Sequence, residues 1–250
     1  MPGSVLYPYL EVLYPESAGA VQSAILARVK DRPVKVLGSG GFGVAYKLKS
    51  GRALKLTSDP DEIRTAAYLM TVDAPSSLTT VRDVFLVRPE YSWQPPTGVI
   101  VRESVDSVIS QTKRPKFKQE KIIADAINAA YHAAQITQIS FSEDEGVALD
   151  DEDALCEGMG AYADVLAEYL ESGKLGDHAY RLLSDYRDGI MEMTEMGICG
   201  SDFRLGNVGY DKEEDKIAIF DLGRTSSPDE PVPEVKLMTN PPEDIEVVWA

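Results

Sequence analysis

Residues 37 to 56 read LGSGGFGVAYKLKSGRALKL, with Gly38, Gly40 and Gly43 spaced as G-x-G-x-x-G and two short apolar runs behind them. The segment after the glycines decides the fold. In a dinucleotide-binding unit they would open a helix. Here Val44 to Leu48 has the character of a strand, turns at Lys49-Ser50-Gly51 and returns through Ala53 to Leu56. A glycine-rich turn between two strands can lie flat over phosphate groups, because the missing Cβ atoms let backbone N–H groups approach. Lys55 then projects from the neighbouring strand toward the same phosphates. A lysine on a strand is usually a solvated surface residue; after the buried-looking Arg52-Ala53-Leu54 and opposite a glycine turn, phosphate binding is the better reading.

Outward from this hairpin the chain divides near residue 105. Before it, short apolar runs alternate with turn signals: Val34 to Leu37 precedes the glycines, and Val81 to Val87 and Gly98 to Val101 come after them. Ser58-Asp59-Pro60-Asp61-Glu62 is a helix start with acids in its first turn, leading into IRTAAYLM. After residue 105 the periodicity is helical over Gln119 to Ile139, Asp153 to Glu171 and Asp177 to Met196. The expected organisation is α+β: an extension over 1–33 with a helix at Ser17 to Val29, a small β-rich lobe over 34–105, a helical lobe over 106–226 and a proline-rich tail over 227–250.

Residues 197 to 226, GICGSDFRLGNVGYDKEEDKIAIFDLGRTS, close the helical lobe. Two short strands joined by the turn DKEED carry Asp202, Asn207 and Asp221 at their ends, although Asp and Asn are poor strand formers. Acceptor side chains in that arrangement suit a divalent cation that carries phosphates.

Composition narrows the function classes. The 250 residues carry 41 acids against 25 Lys and Arg, a formal charge of −16 that disfavours nucleic acid and anionic membranes as partners. The basic cluster Lys113, Arg114, Lys116, Lys118 and Lys121 reads as a solvated helix start, and the acidic stretch Glu143 to Asp153 as a mobile, solvated loop. No run of 18 apolar residues and no basic-then-apolar leader occurs, which leads to the expectation of a soluble, cytoplasmic protein. Cys156 and Cys199 are far apart, so neither a disulfide framework nor a zinc site is expected. His132 and His178 fall inside helical patterns and read as structural.

In this order the motifs resemble the protein-kinase-like superfamily. GSGGFGVAYK is similar to its glycine-rich loop, with Phe42 at the tip and Gly41 beside it, and Ala53-Leu54-Lys55 to its V-A-I-K strand. Asp202-Phe203-Arg204-Leu205-Gly206-Asn207 is similar to the catalytic loop, and Asp221-Leu222-Gly223 to D-F-G. The resemblance implies a bilobal kinase-like fold whose helical lobe is truncated after the D-F-G-like motif, and an ATP- and Mg²⁺-dependent kinase that phosphorylates a hydroxyl. The first expectation for that hydroxyl is Ser or Thr of a protein; the alternatives are a small molecule, in the manner of aminoglycoside or choline kinases, or a pseudokinase that only binds. Carried onto this chain, it implies that Lys55 holds the α and β phosphates, with Glu62 as its partner and with Gly38, Gly40, Gly41, Phe42, Gly43 and Ala53 lining the nucleotide. Glu103 and Val105 would present backbone to adenine, Asn207 and Asp221 would hold Mg²⁺, and Asp202 would orient the attacking hydroxyl, with Arg204 beside it.

The departures from the pattern are specific. Gly200-Ser201-Asp202 stands where the family has H-R-D, so switching by a phosphorylated activation loop is not expected. Leu222 replaces Phe, and only 27 residues come after Gly223, without A-P-E. Glu62 lies seven residues after Lys55, closer than the family places it.

Overall fold

The computed structural model describes residues 10–89, 96–109, 117–223 and 225. Lys113, Arg114 and Lys116 of the basic cluster, and the tail over 227–250, lie outside the described residues. The described residues form two compact units: one takes those up to Asp73 together with Thr80–Ser104, the other Ala74–Thr79 and those from Val105 to Thr225.

The first unit is built on a six-stranded sheet. Its elements in chain order are β1 (Val12–Leu13), α1 (Val21–Val29), β2 (Pro33–Gly40), β3 (Gly43–Leu48), β4 (Ala53–Thr57), α2 (Pro60–Leu69), β5 (Val81–Val87) and β6 (Thr97–Arg102). The strand order is β1-β5-β6-β4-β3-β2. β1 runs parallel to β5 and every other pair is antiparallel. Alternation along the strands sorts the side chains onto two faces. Tyr46, Leu48, Leu54, Leu56, Phe85, Val87, Val99 and Val101 pack with Val21, Ile25 and Val29, spaced by fours along α1. Each buried Val or Ile of α1 contributes about 1.5–3 kcal/mol, so α1 is an integral layer of this unit.

The opposite face carries Ala53 and Lys55 on β4, paired across the sheet with Arg102 and Ile100 on β6. α2 packs here, and a Cβ on Gly98 would lie 2.3 Å from Ile63 Cδ1, so a larger residue would force the Ile63 side chain to move. Asp59 caps α2 by accepting from the N–H groups of Asp61 (3.0 Å) and Glu62 (3.3 Å), with Pro60 at the first helical position. β4 is covered on both sides, which is why all five of its residues are buried.

The second unit contains β7 (Ser107–Val108), α3 (Glu120–Glu145), α4 (Glu152–Glu171), α5 (Asp177–Glu195), β8 (Val208–Asp211) and β9 (Lys216–Ile219), with β8 central in a three-stranded antiparallel sheet. α3 and α4 approach closely at Gly158, where a Cβ would meet the Ala134 carbonyl oxygen at 3.1 Å. His178 Nε2 lies 2.9 Å from Asp215 Oδ1.

Three expectations are corrected here. The stretch from Glu143 to Asp153 is not a loop throughout: Glu143 to Glu145 end α3, Asp151 caps α4 and Glu152 and Asp153 form its first turn. Acids in a first helical turn oppose the helix dipole favourably, and only the short connection between them is irregular. Cys156 and Cys199 are joined in a disulfide across a sequence separation of 43. The packing of α4 against the segment after α5 brings them together, with Cα atoms 5.0 Å apart. The strand expected to stop at Val101 extends to Arg102; a charged residue at the end of an apolar run looked like the strand's boundary.

Candidate active site

Each unit assembles its own cluster from the residues singled out in the sequence. In the first, the glycine turn joins β2 to β3. Gly43 is fixed by contact, since a Cβ there would sit 2.0 Å from the Leu56 carbonyl oxygen. At Gly38, Gly40 and Gly41 a Cβ would meet no atom within 4 Å, so these three leave open space over the turn. The half-exposed Phe42 at the tip accepts from Ser58 N at 2.8 Å and Ser58 Oγ at 3.2 Å, tying the turn to the β4–α2 connection.

Lys55 lies two residues along β4 from Thr57, which pairs with Gly43. Its Nζ is 2.7 Å from Glu62 Oε1; Lys55 is 9% exposed and Glu62 not at all. The short spacing between the two comes from the connection: only Ser58 and Asp59 separate β4 from α2, so the third helical residue already faces the strand just left. Glu62 is thus a first-turn acid and the partner of Lys55 at once. Ala53 is buried on the same face. Glu103 donates its N–H to the Thr80 carbonyl (2.9 Å) and takes Arg82 Nε at 2.6 Å.

In the second unit Val105 packs against Gly209, where a Cβ would fall 2.4 Å from Val105 Cγ2. Between Gly200 and Asn207 the chain is held by its own side chains. Asn207 Nδ2 donates to the Asp202 carbonyl at 2.8 Å, Asn207 N to the Arg204 carbonyl at 2.8 Å, and Arg204 Nε lies 3.1 Å from Asp202 Oδ1. The Asn207 carbonyl accepts from Phe220 N at 3.0 Å, which joins this loop to the strand ahead of Asp221. Asp221 Oδ1 caps the next turn by accepting from Gly223 N at 3.2 Å.

Several supporting residues had no motif to announce them. Phe203 is buried, and its carbonyl accepts from Tyr162 Oη at 3.2 Å; that hydroxyl also pairs with Tyr186 Oη at 3.1 Å. Burial pushes both phenols well above their ordinary range, so they remain neutral donors. At Gly200, a Cβ would meet Thr225 Cγ2 at 2.6 Å and Phe203 Cζ at 2.7 Å. A larger residue at this position would have to displace the buried Thr225 or Phe203.

The donor set suits magnesium. Asn207 commits its amide nitrogen to Asp202 and so presents its oxygen on the other side, and with Asp221 it offers the hard oxygen ligands that Mg²⁺ takes alongside waters and phosphates. Among the described residues no group of three or more His, Cys, Asp or Glu is placed to hold a metal by itself, and no helix is long and apolar enough to cross a membrane.

No family model and no curated relative matches the chain. Solved structures do. The ADP-bound aminoglycoside phosphotransferase APH(2″)-Ib matches at 14% identity over 83% of this chain and 71% of its own, with a TM-score of 0.38. The ternary complex of streptomycin, ATP and APH(2″)-IIa matches at 12% identity over 82% and 70%, also with a TM-score of 0.38. A TM-score of that size carries neither fold nor function.

Proposed function

We propose that this protein is a phosphotransferase that moves the γ-phosphate of a nucleoside triphosphate, ATP in the first instance, to a hydroxyl group. The observation that carries the reading is the buried Lys55–Glu62 pair on the sheet strand next to the glycine turn. Burying two charges costs several kcal/mol per ion before their attraction offsets it, and an apolar pair would fill the space as stably. A rigid cation beside a phosphate-binding turn gives the pair a use. In this reading the turn over 38–43 and Lys55 bind the phosphates, and Glu62 fixes the lysine's direction. Asp202 accepts or orients the proton of the attacking hydroxyl, and Arg204 holds that carboxylate in place. Asn207 and Asp221 would hold Mg²⁺, which when bound neutralises charge on the phosphates. Glu103 and Val105 would present their backbone to the base.

For the acceptor, a cationic small molecule is the better-supported class. Between Val105 and Pro228 the chain has 25 acids and 12 bases, so most of the −16 charge belongs to the unit that carries Asp202. Such a field concentrates cations. A protein hydroxyl is the second reading, favoured by the likeness of Asp202 to Asn207 to the catalytic loop of protein Ser/Thr kinases. Transfer from γ-labelled ATP decides between them: label should appear on a polyhydroxylated polyamine and vanish in Asp202→Ala. Label on protein alone would favour the second reading. In thermal unfolding, Mg²⁺·ATP at a hundred times its dissociation constant should stabilise by about 2.7 kcal/mol, a shift lost in Asp221→Ala. No stabilisation and no transfer would reject the proposal.

A further inference from the structure

One buried charge has no role in this scheme. Arg102 closes β6, is 3% exposed, and its Nε and Nη1 have no hydrogen-bond partner among the described residues. Native structures seldom leave a buried guanidinium unpaired, because the lost hydration is costly. The sheet register locates it: Arg102 is paired with Ala53, and Ile100 with Lys55, so Arg102 occupies the Lys55 face one row further from the glycine turn. Two residues of antiparallel strand set that row about 7 Å from the row of Lys55. With Glu103 presenting its backbone to the base, as proposed above, a nucleotide whose phosphates meet the turn and Lys55 would extend its base along this direction.

We infer that Arg102 selects the nucleobase, donating to the 6-oxo group of a purine so that GTP or ITP is the preferred phosphate donor over ATP. The inference rests on the phosphotransferase reading above. Its chemistry is one of donors and acceptors. A guanidinium has only N–H donors and keeps its charge. Guanine and hypoxanthine present the acceptor O6, whereas adenine presents an N6 amino donor at the same position, which would leave two donors facing each other. Glu103, the next residue, has its N–H committed to Thr80, so its carbonyl is the group left to accept the N1–H that 6-oxopurines carry and adenine lacks.

The test is titration calorimetry of ATP, ITP and GTP in Mg²⁺ with the full chain, for wild type, Arg102→Met and Arg102→Lys. ITP differs from ATP only at the position in question and its N1 proton. The expected result is ITP and GTP binding at least about tenfold more tightly than ATP, with the preference lost in Arg102→Met. Equal or tighter binding of ATP by the wild type would overturn the inference and leave the phosphotransferase reading standing. A preference that survives in Arg102→Met would also overturn it. Binding of none of the three would reject both. Should Arg102→Met fail to fold, the wild-type series and Arg102→Lys still decide, since the 6-oxo preference is read on the native protein.

Discussion

Replacing Glu62 by Gln removes one charge from a pair whose other member stays where it is. The Lys55 side chain is 11% exposed and that of Glu62 not at all, so the ammonium has little water to turn to. Breaking a buried pair from one side costs about 3–5 kcal/mol, because the charge that stays loses its nearest counter-ion. For a chain of 250 residues each kcal/mol moves the melting temperature by about 2–4 °C, so Glu62→Gln should melt about 6–20 °C lower. The double replacement Lys55→Met with Glu62→Leu removes both charges and keeps the volume. It should recover most of that loss, because neither ion then has to be desolvated. Calorimetric unfolding of wild type, Lys55→Met, Glu62→Leu and the double variant closes a mutant cycle, and the coupling should exceed about 2 kcal/mol. Phosphate transfer should be lost in the double variant although it is stable. A Glu62→Gln loss below about 1 kcal/mol, or a double variant as unstable as the sum of the singles, would refute the claim that this pair is kept for function against a stability cost.

Other consequences are more local. Gly43→Ala should destabilise by about 1–3 kcal/mol in denaturant unfolding, since its Cβ would press on the Leu56 carbonyl oxygen; an unchanged midpoint would show that the turn relaxes freely. Reduction of the Cys156–Cys199 bond should lower stability by up to about 4 kcal/mol on the chain-entropy model for its 43-residue separation, measured as the melting temperature with and without reductant. Tyr162→Phe should cost about 1 kcal/mol and slow transfer, because the Phe203 carbonyl loses its donor beside Asp202. In acid, Asp215 is held down to about 2 by hydrogen bonds from Tyr210 and His178, against burial that pushes it up, and with help from Arg181. Its folded value lies below the unfolded one, so the stability it adds is present above about pH 4 and lost as pH falls toward 2. Its side chain is 40% exposed, so solvent screens the effect to about 1 kcal/mol or less; Asp215→Asn should flatten the acid limb of a pH–stability curve over that interval.

The parts of this protein that were legible in the chain are those set by neighbours in sequence. The strand from Val81 to Val87 and the glycine turn leading into a hairpin could be read because alternation, turn residues and helix starts act over a few positions. The candidate set Lys55, Asp202, Asn207 and Asp221 could be named because residue type and spacing suffice to name it.

What only the tertiary structure decided involves residues that packing brings together. The sequence could offer Glu62 as a partner for Lys55, but its position in a first helical turn argued equally for a cap; the tight passage from β4 into α2 placed it against the lysine. α1 became a layer of the sheet because its stripe of Val21, Ile25 and Val29 matched an apolar face formed by four separate strands. Cys156 met Cys199 through helix packing over a separation that no local rule registers. At Gly200 the chain could show only a departure from H-R-D, whereas the fold shows Thr225 and Phe203 crowding the position. Arg102 lay beyond the strand expected to end at Val101, and only the register of β4 with β6 set it opposite Ala53. Local rules read backbone preference, which depends on a few neighbouring residues; burial and pairing depend on which distant surfaces meet, and the sequence states that only through the fold.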